Sequence, residues 1–271
     1  MRSTFAEEIV EGKRFEFGKN WALFLRNLNA ERIEIARHSL QSMLGLDSLA
    51  GKVFIDVGCG SGLFSLAARQ LGARVHTFDY DPQSVACARY LKEKFFPQDS
   101  QWAIGQGSVL DQAYLGTLGQ NDVVYSWGVL HHTGAMWEAL ANVALLVKPG
   151  GQLFIAIYND QGWISRYWKF MKSQYNQGAL RKFLIIAVHI PYFMVLVPLV
   201  QLAKGKFRLK RGMSRWHDFL DWLGGLPFEV ASPEAVGEFY GQRAFTLQKR
   251  KTCGRRHGCN EYLLQRNVIP R

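Results

Sequence analysis

The sequence predicts an α/β protein built on a doubly wound sheet. Three observations carry this. The apolar run Val53-Phe54-Ile55-Asp56-Val57 leads into a loop with glycine at every second position, Gly58, Gly60 and Gly62, and then into a helical stretch. Four further runs, at 74–79, 102–104, 122–127 and 153–159, alternate with helical segments. Segments 244–249 and 261–265 read as a final strand pair. With 48% hydrophobic and 13% aromatic residues, the chain can bury a sizeable core and is not a disordered segment.

Taken in order, residues 5–50 read as irregular helices, with Ile33, Ala36, Leu40, Met43 and Leu44 at helical spacing. The first eight residues are acidic and lack an apolar core, so they do not read as a signal peptide. The loop after Asp56 has the spacing Asp-x-Gly-x-Gly-x-Gly and so departs from the dinucleotide fingerprint G-x-G-x-x-G. Its glycines allow positive φ and a close approach of ligand to backbone. The helix that follows offers unpaired N–H groups and a positive dipole end.

The second strand ends at Asp79, 23 positions after Asp56, close to the offset of about 20 expected for an acid that grips ribose hydroxyls. Asp81 is a rival acid, but Asp81-Pro82 reads as a helix start, which favours Asp79. After the third strand comes Gly105-Gln106-Gly107-Ser108-Val109-Leu110-Asp111, with Asp111 a candidate cap. The fourth strand continues into Gly128-Val129-Leu130-His131-His132, at the end of the sheet where doubly wound folds bind ligands. A helix over 135–147 and Pro149-Gly150-Gly151 then lead to the fifth strand.

The glycine loop, Asp79, the Ser108 loop, the His-His strand end and Pro-Gly-Gly together resemble class I S-adenosylmethionine (SAM) methyltransferases. The likeness is to the ubiquinone- and menaquinone-type branch, firmly over residues 50–160. The resemblance implies a Rossmann-like seven-stranded sheet closed by the C-terminal antiparallel hairpin, with SAM as cofactor. It implies that Gly58, Cys59, Gly60 and Gly62 lie under the amino-acid end of SAM and that Asp56 orients its ammonium group. Asp79 would hold the ribose, Tyr80 would pack against adenine, and Ser108 and the Val109 backbone would meet the adenine edge. Trp127 would face the same crevice. The N-terminal segment would cap the site, with Lys19, Asn20 and Trp21 touching substrate or simply packing.

The expected organisation is a helical cap over 1–49, the cofactor core over 50–160, an insertion over 161–228, and a helix and hairpin over 229–271. The insertion opens aromatic and basic and then runs without charge for 18 residues, 183–200, flanked by Arg181, Lys182 and a later basic cluster. Pro191 and Pro198 are expected to break that run into short pieces. One reading makes it a buried lid or a homodimer element. The other makes it a monotopic or re-entrant segment held at an anionic membrane by its basic flanks, and a spanning helix is disfavoured because it would part the C-terminal strands from the sheet they complete.

Charge is divided unevenly. Residues 1–160 carry 14 Lys and Arg against 16 Asp and Glu, and residues 161–271 carry 19 against 6. The basic half points to an anionic partner, and a membrane surface fits better than nucleic acid, because no RNA-binding module is recognisable. An RNA-directed methyltransferase or a non-catalytic SAM-binding partner remains the alternative. The four scattered cysteines make no disulfide framework, and Cys253, His257 and Cys259 lack zinc spacing, so the expectation is a reducing, cytoplasmic setting without metal, peripheral at the membrane if the apolar run docks there.

The acceptor expected is a small or lipid-like molecule methylated at O or C. A hydroxyl acceptor needs a base, and histidine suits that near neutral pH. The candidates are His131, His132 and His217. Tyr158, Asn159 and Asp160 at the fifth strand end, and Trp216 in the insertion, are candidate acceptor-orienting groups.

Overall fold

The structure is a computed structural model and describes residues 4–203, 215–254 and 258–268. Its parallel strands are β1 (Val53–Val57), β2 (Arg74–Asp79), β3 (Trp102–Gln106), β4 (Asn121–Trp127) and β5 (Val147–Tyr158). A C-terminal hairpin adds β6 (Phe245–Lys251) and β7 (Cys259–Arg266). They form one seven-stranded sheet in the order β3-β2-β1-β4-β5-β7-β6, with β7 antiparallel to both neighbours. The order reverses between β1 and β4, so the ends of those strands open a ligand crevice.

Three helices precede the sheet: α1 (Phe5–Val10), α2 (Phe17–Leu25) and α3 (Ala30–Leu44). The crossovers are α4 (Leu63–Gln70), α5 (Pro82–Phe95), α6 (Gln112–Leu118) and α7 (Met136–Leu145). The insertion holds α8 (Trp163–Tyr175), α9 (Ala179–Ile190), α10 (Val197–Ala203) and α11 (Arg215–Gly224), and α12 (Pro233–Gly241) leads into β6. Local chemistry sets several starts. Asp81 accepts from the Gln83 N–H with Pro82 in the first turn of α5, and Asp111 caps α6 through the Tyr114 N–H. Ser232 caps α12 through the Ala235 N–H.

Alternation along β1 feeds both faces of the sheet. Ile55 and Val57 join Val124, Ile155, Leu140 and Val236 on one side. Phe54 joins Val75, Trp102, Leu66 and Leu40 on the other. Each such fully buried side chain contributes roughly 1.5–3 kcal/mol. Pro149-Gly150-Gly151 is not a turn before β5 but a bulge within it. Pairing jumps from Asn121↔Val147 to Val123↔Gln152, so the surplus residues stand out of the ladder.

The insertion has its own small core of Trp168, Tyr175, Ile185, Phe219, Leu223 and Phe228. Pro191 and Pro198 do not break the apolar run: residues 179–200 form one continuous helical segment. Its turns widen to the π type over Pro191–Leu196, which gives the proline ring room and absorbs its missing N–H. Only 11% of the most apolar stretch is buried, so the expected buried lid is instead a helix packed by one face. Leu180, Leu184, Val188, Tyr192, Val195 and Leu199 are exposed along the other face, three or four residues apart. The ends of the insertion are clamped together, with the Ala231 N–H donating to Tyr158 O and the Asp160 N–H to Ala231 O.

Candidate functional site

The glycine loop folds back on β2, with the Gly58 and Cys59 N–H groups both donating to Phe78 O. Gly58 has φ +74°, and a Cβ there would stand 2.3 Å from Val129 Cγ1. Gly60 has φ +54°, and a Cβ would stand 2.8 Å from the Trp21 indole nitrogen. The loop is therefore a cradle that only bare backbone can form, walled by Val129 and roofed by Trp21. Such a cradle fits a ligand needing backbone N–H groups and close approach.

Three acids sit beside it and are committed differently. Asp79 accepts from the Gly60 N–H at 2.9 Å through Oδ2 and from the Asp81 N–H at 2.9 Å through Oδ1. Burial pushes its carboxyl up to about 6 despite those bonds. Asp81 is spent on structure: it caps α5 and accepts the Gly18 N–H of α2 at 2.8 Å. That supports Asp79 over Asp81 as the ligand-facing acid. Asp56 is 2% exposed and accepts from the Ser65 hydroxyl at 2.5 Å, and burial raises its carboxyl to about 7. Cys59 lies among these carboxylates, and burial together with Asp79 and Asp56 pushes its thiol well up, so it is no nucleophile.

The helix α2 ties this cradle to the two histidines. Phe17 and Trp21 are one turn apart on one face, about 6 Å along the axis. Trp21 roofs Gly60, and the Phe17 ring lies 4.9 Å from that of His132. Val129, against Gly58, leads directly into the 3₁₀ turn Leu130–His132.

The two histidines differ. His132 Nδ1 lies 2.6 Å from Pro227 O. A carbonyl only accepts, so Nδ1 carries the proton and Nε2 keeps its lone pair. Burial, and secondarily Lys172 and Arg14, lower its pKa to about 3, so the ring is neutral. His131 is fully buried, and its Nδ1 accepts from the Tyr158 N–H at 3.3 Å. Its Nε2–H is buried without a partner among the described residues.

Around them lies an aromatic cluster with a buried cation. The Tyr158 ring is 3.9 Å from His131, 5.4 Å from His132, 5.5 Å from Trp222 and 5.3 Å from Phe228. Lys172 is completely buried, donates to Trp222 O, and lies over the Trp222 and Phe228 rings at 4.6 and 4.9 Å. Burial lowers its pKa to about 7, against the pull of Asp221. Just outside, an open cleft of about 760 Å³ runs between α1 and α8, with Ile9, Lys13, Lys169 and Leu226 in its walls. Pro227, which fixes His132, forms part of its floor.

The other expected residues divide. Tyr80 sits under the cap, with Arg14 over its ring at 5.0 Å and Phe5 at 5.5 Å. Ser108 turns its hydroxyl to the Leu110 N–H, while the Val109 side chain enters the core and its carbonyl accepts from Asn142. Trp127 reaches Glu261 at 3.5 Å. Asn20 donates to Asp221 and so ties cap to insertion. Lys19 instead pairs with Glu16 at the surface, because it lies on the face of α2 opposite Trp21. Asn159 is also diverted: its amide donates to Gly254 O and accepts from Asn260, which holds the hairpin rather than an acceptor. Asp160 accepts the Gly162 N–H ahead of α8. Trp216 is 43% exposed on α11. The side chain of His217 and all of His257 lie outside the described residues. Among the described residues no group of His, Cys, Asp and Glu could hold a metal.

Phe17, Lys172, Asp221 and Pro227 belong to the site without having been singled out. The signal for Lys172 was its place on α8 with Trp168 and Tyr175, one turn away on either side and on the same face.

Comparison with known proteins agrees with this geometry. A family model described as a methyltransferase domain matches residues 55–153. The chain is 29% identical over 129 residues to the ubiquinone biosynthesis O-methyltransferase of Methylobacterium sp. (strain 4-46), covering 45% of this chain and 47% of that protein. It is 34% identical over 113 residues to the enzyme of that name from Stutzerimonas stutzeri (strain A1501), covering 41% and 47%. The chain thus spans about half the length of the curated relatives it matches. Among solved structures, magnesium protoporphyrin IX methyltransferase from Synechocystis PCC 6803 with bound S-adenosylhomocysteine superposes with a TM-score of 0.55 at 16% identity, over 92% of this chain and 94% of that one.

Proposed function

We propose that residues 55–153, which match a family model described as a methyltransferase domain, form the SAM site of a class I methyltransferase, and that the protein transfers a methyl group to the oxygen or carbon of a small, lipid-like acceptor. The observation that carries this reading is the shared face of α2, which sets Trp21 over the glycine cradle and Phe17 on His132 one turn away.

SAM, when bound, supplies a methyl group on a sulfonium that departs as a neutral thioether, so the protein mainly has to position the reactants. The glycine backbone and Asp56 fit the amino-acid end, and Asp79 fits the ribose. His132 presents the lone pair of Nε2 and receives the acceptor's hydroxyl proton as the new bond forms, because burial keeps the ring neutral and the Pro227 carbonyl holds the ring's one proton on Nδ1. His131 holds the Tyr158 backbone and serves as a pillar. The rings of Tyr158, Trp222 and Phe228 suit an aromatic acceptor, and the names of the ubiquinone-biosynthesis relatives favour a phenol or quinol.

The exposed apolar face of residues 179–200, with Arg181 and Lys182 exposed at its start, supports peripheral contact with an anionic membrane. A lipid-like acceptor would then reach the cleft beside α8 without crossing water. The fit is to one side of the bilayer, since the hairpin after the insertion completes the same sheet as the core before it.

Calorimetric titration with SAM and S-adenosylhomocysteine is the primary test. Micromolar binding that is lost in Asp79→Ala, with His132→Ala retaining affinity but losing roughly 10²–10⁴-fold in turnover of phenolic acceptors, is expected. Absence of SAM binding by the folded wild type overturns the reading. Co-sedimentation with vesicles containing anionic lipid, abolished in Phe183→Glu/Val188→Glu, checks the membrane contact, and a wild type that does not sediment with vesicles but forms a dimer that those substitutions dissociate refutes it.

A further inference from the structure

We infer that Trp102, Thr77 and Ser65 form a one-way hydrogen-bond chain that fixes and polarises the Asp56 carboxylate for the amino-acid end of the cofactor. The inference rests on the proposed SAM site and concerns residues from three elements that no sequence motif connects.

The chain is continuous. The Trp102 indole N–H donates to Thr77 Oγ1 at 2.8 Å, Thr77 donates to Ser65 Oγ at 2.9 Å, and Ser65 donates to Asp56 Oδ2 at 2.5 Å. All four residues are buried, with Trp102 and Ser65 at 0% exposure. The register explains the alignment. Asp56 pairs with Thr77, and Trp102 pairs with Val75 two residues along, so Asp56, Thr77 and Trp102 share one face of the sheet. Ser65 reaches that face from the first turn of α4.

Its direction is forced. An indole N–H only donates, so Thr77 must accept there and spend its single proton on Ser65. Ser65 then has one proton left to give, and only Asp56 to receive it. No hydroxyl in the chain can turn around without leaving a buried donor or acceptor unmatched. The result is a carboxylate with one oxygen bound and its plane fixed relative to the glycine loop. The charged and titratable groups near Asp56 are Asp79 at the end of β2 and Cys59 in the loop. Burial and the like charge of Asp79 work against ionisation, whereas Cys59 stays a neutral thiol. The chain, through the Ser65 hydroxyl, is the larger of the two influences that favour the ionised form a cofactor ammonium group needs, and the Ser65 backbone is the other.

Ser65, Thr77 and Trp102 are therefore positioning residues, and their effect is confined to ligands that carry an amino-acid end. The experiment measures dissociation constants of SAM, S-adenosylhomocysteine and 5′-methylthioadenosine between pH 6 and 9 for wild type, Thr77→Val and Thr77→Val/Trp102→Phe. Methylthioadenosine has the nucleoside but no amino-acid end. The double variant removes both partners of the inner bond together, so it keeps no orphaned indole N–H and guards against a folding defect.

In both variants SAM and S-adenosylhomocysteine are expected to weaken about fivefold near pH 6.5, the size of one neutral hydrogen bond, because Ser65 keeps its own bond to Asp56. The loss should shrink at pH 9, where Asp56 ionises without help. The midpoint of the pH dependence of binding should move up, and methylthioadenosine should be unchanged. Equal weakening of all three ligands, or an unmoved midpoint, overturns the inference while leaving the cofactor reading intact. Failure of the wild type to bind SAM overturns both.

Discussion

The packing of Val129 on Gly58 joins the cradle to the histidine turn, and a single methyl group tests it. In Gly58→Ala the new Cβ would stand 2.3, 2.7 and 2.9 Å from Val129 Cγ1, Cγ2 and Cβ. Real Cβ atoms do not tolerate such contacts, so Val129 must move, and with it the turn that carries His131 and His132. Two terms add. A non-glycine residue at φ +74° loses about 1–2 kcal/mol, and overpacking of this kind loses about 1–3 kcal/mol. Gly58→Ala should therefore lose about 2–5 kcal/mol in equilibrium urea unfolding. Only the second term depends on Val129. In the background of Val129→Gly the same alanine should lose only the backbone term, giving a coupling of about 1–3 kcal/mol in the double-mutant cycle. SAM titration on the four proteins should show the same rescue. Additive effects, within about 0.5 kcal/mol, would falsify the packing and with it the argument that one rigid unit aligns cradle and base.

Further outcomes follow from other contacts. Asp81→Ala removes the α5 cap and strands the Gly18 N–H, so unfolding measurements should show a loss of about 2–4 kcal/mol. Lys172→Met should gain on the order of 1–4 kcal/mol at pH 7. The folded lysine has its pKa lowered to about 7 from 10.5, so its penalty is full below pH 7 and fades as pH rises toward 10.5; a gain that persists unchanged at pH 10.5 contradicts this. Between pH 6.5 and 5 two opposed effects should nearly cancel in the apo-protein. His131 and His132, kept neutral in the fold, favour the unfolded chain on acidification, whereas Asp56 and Asp79, with folded pKa values of about 7 and about 6, favour the fold. Each group is worth about 1.4 kcal/mol per pH unit at most. Asp56→Asn/Asp79→Asn should therefore lose about 2–4 kcal/mol over that range in chemical denaturation while the wild type changes little, and parallel curves would contradict the assignment.

The core was legible because each landmark has a local cause. Glycine spacing needs only backbone sterics, and the choice of Asp79 over Asp81 needs only the helix-start signal of Asp81-Pro82, which the bond to Gln83 bears out. The cap was half legible. Lys19, Asn20 and Trp21 are consecutive, but a helix sends them three ways, and only the i, i+4 pair of Phe17 and Trp21 lies on the site. Which surfaces that pair would meet depends on Asp221 of the insertion and on Asp81, both far away in the chain. Asn159 ends a strand beside the site, yet the return of the hairpin claims its amide. The burial of Lys172 has one local sign, its place on α8 between Trp168 and Tyr175, but it is completed by Trp222 and Phe228, some fifty residues on. Pro191 shows the reverse, a strong local rule overridden by a change of helical pitch.

The clamp between Tyr158 and Ala231 means that some seventy residues leave the sheet and return to it at one point. Seen from the sheet, everything between is a single closed loop, and closure entropy grows only with the logarithm of its length. The strand and helix core thus sees two adjacent chain ends at this point. The insertion can therefore change in its outer part while Asp221, Pro227 and Glu229, which hold Asn20, His132 and His131, stay in place and β7 still pairs with β5 in the same register.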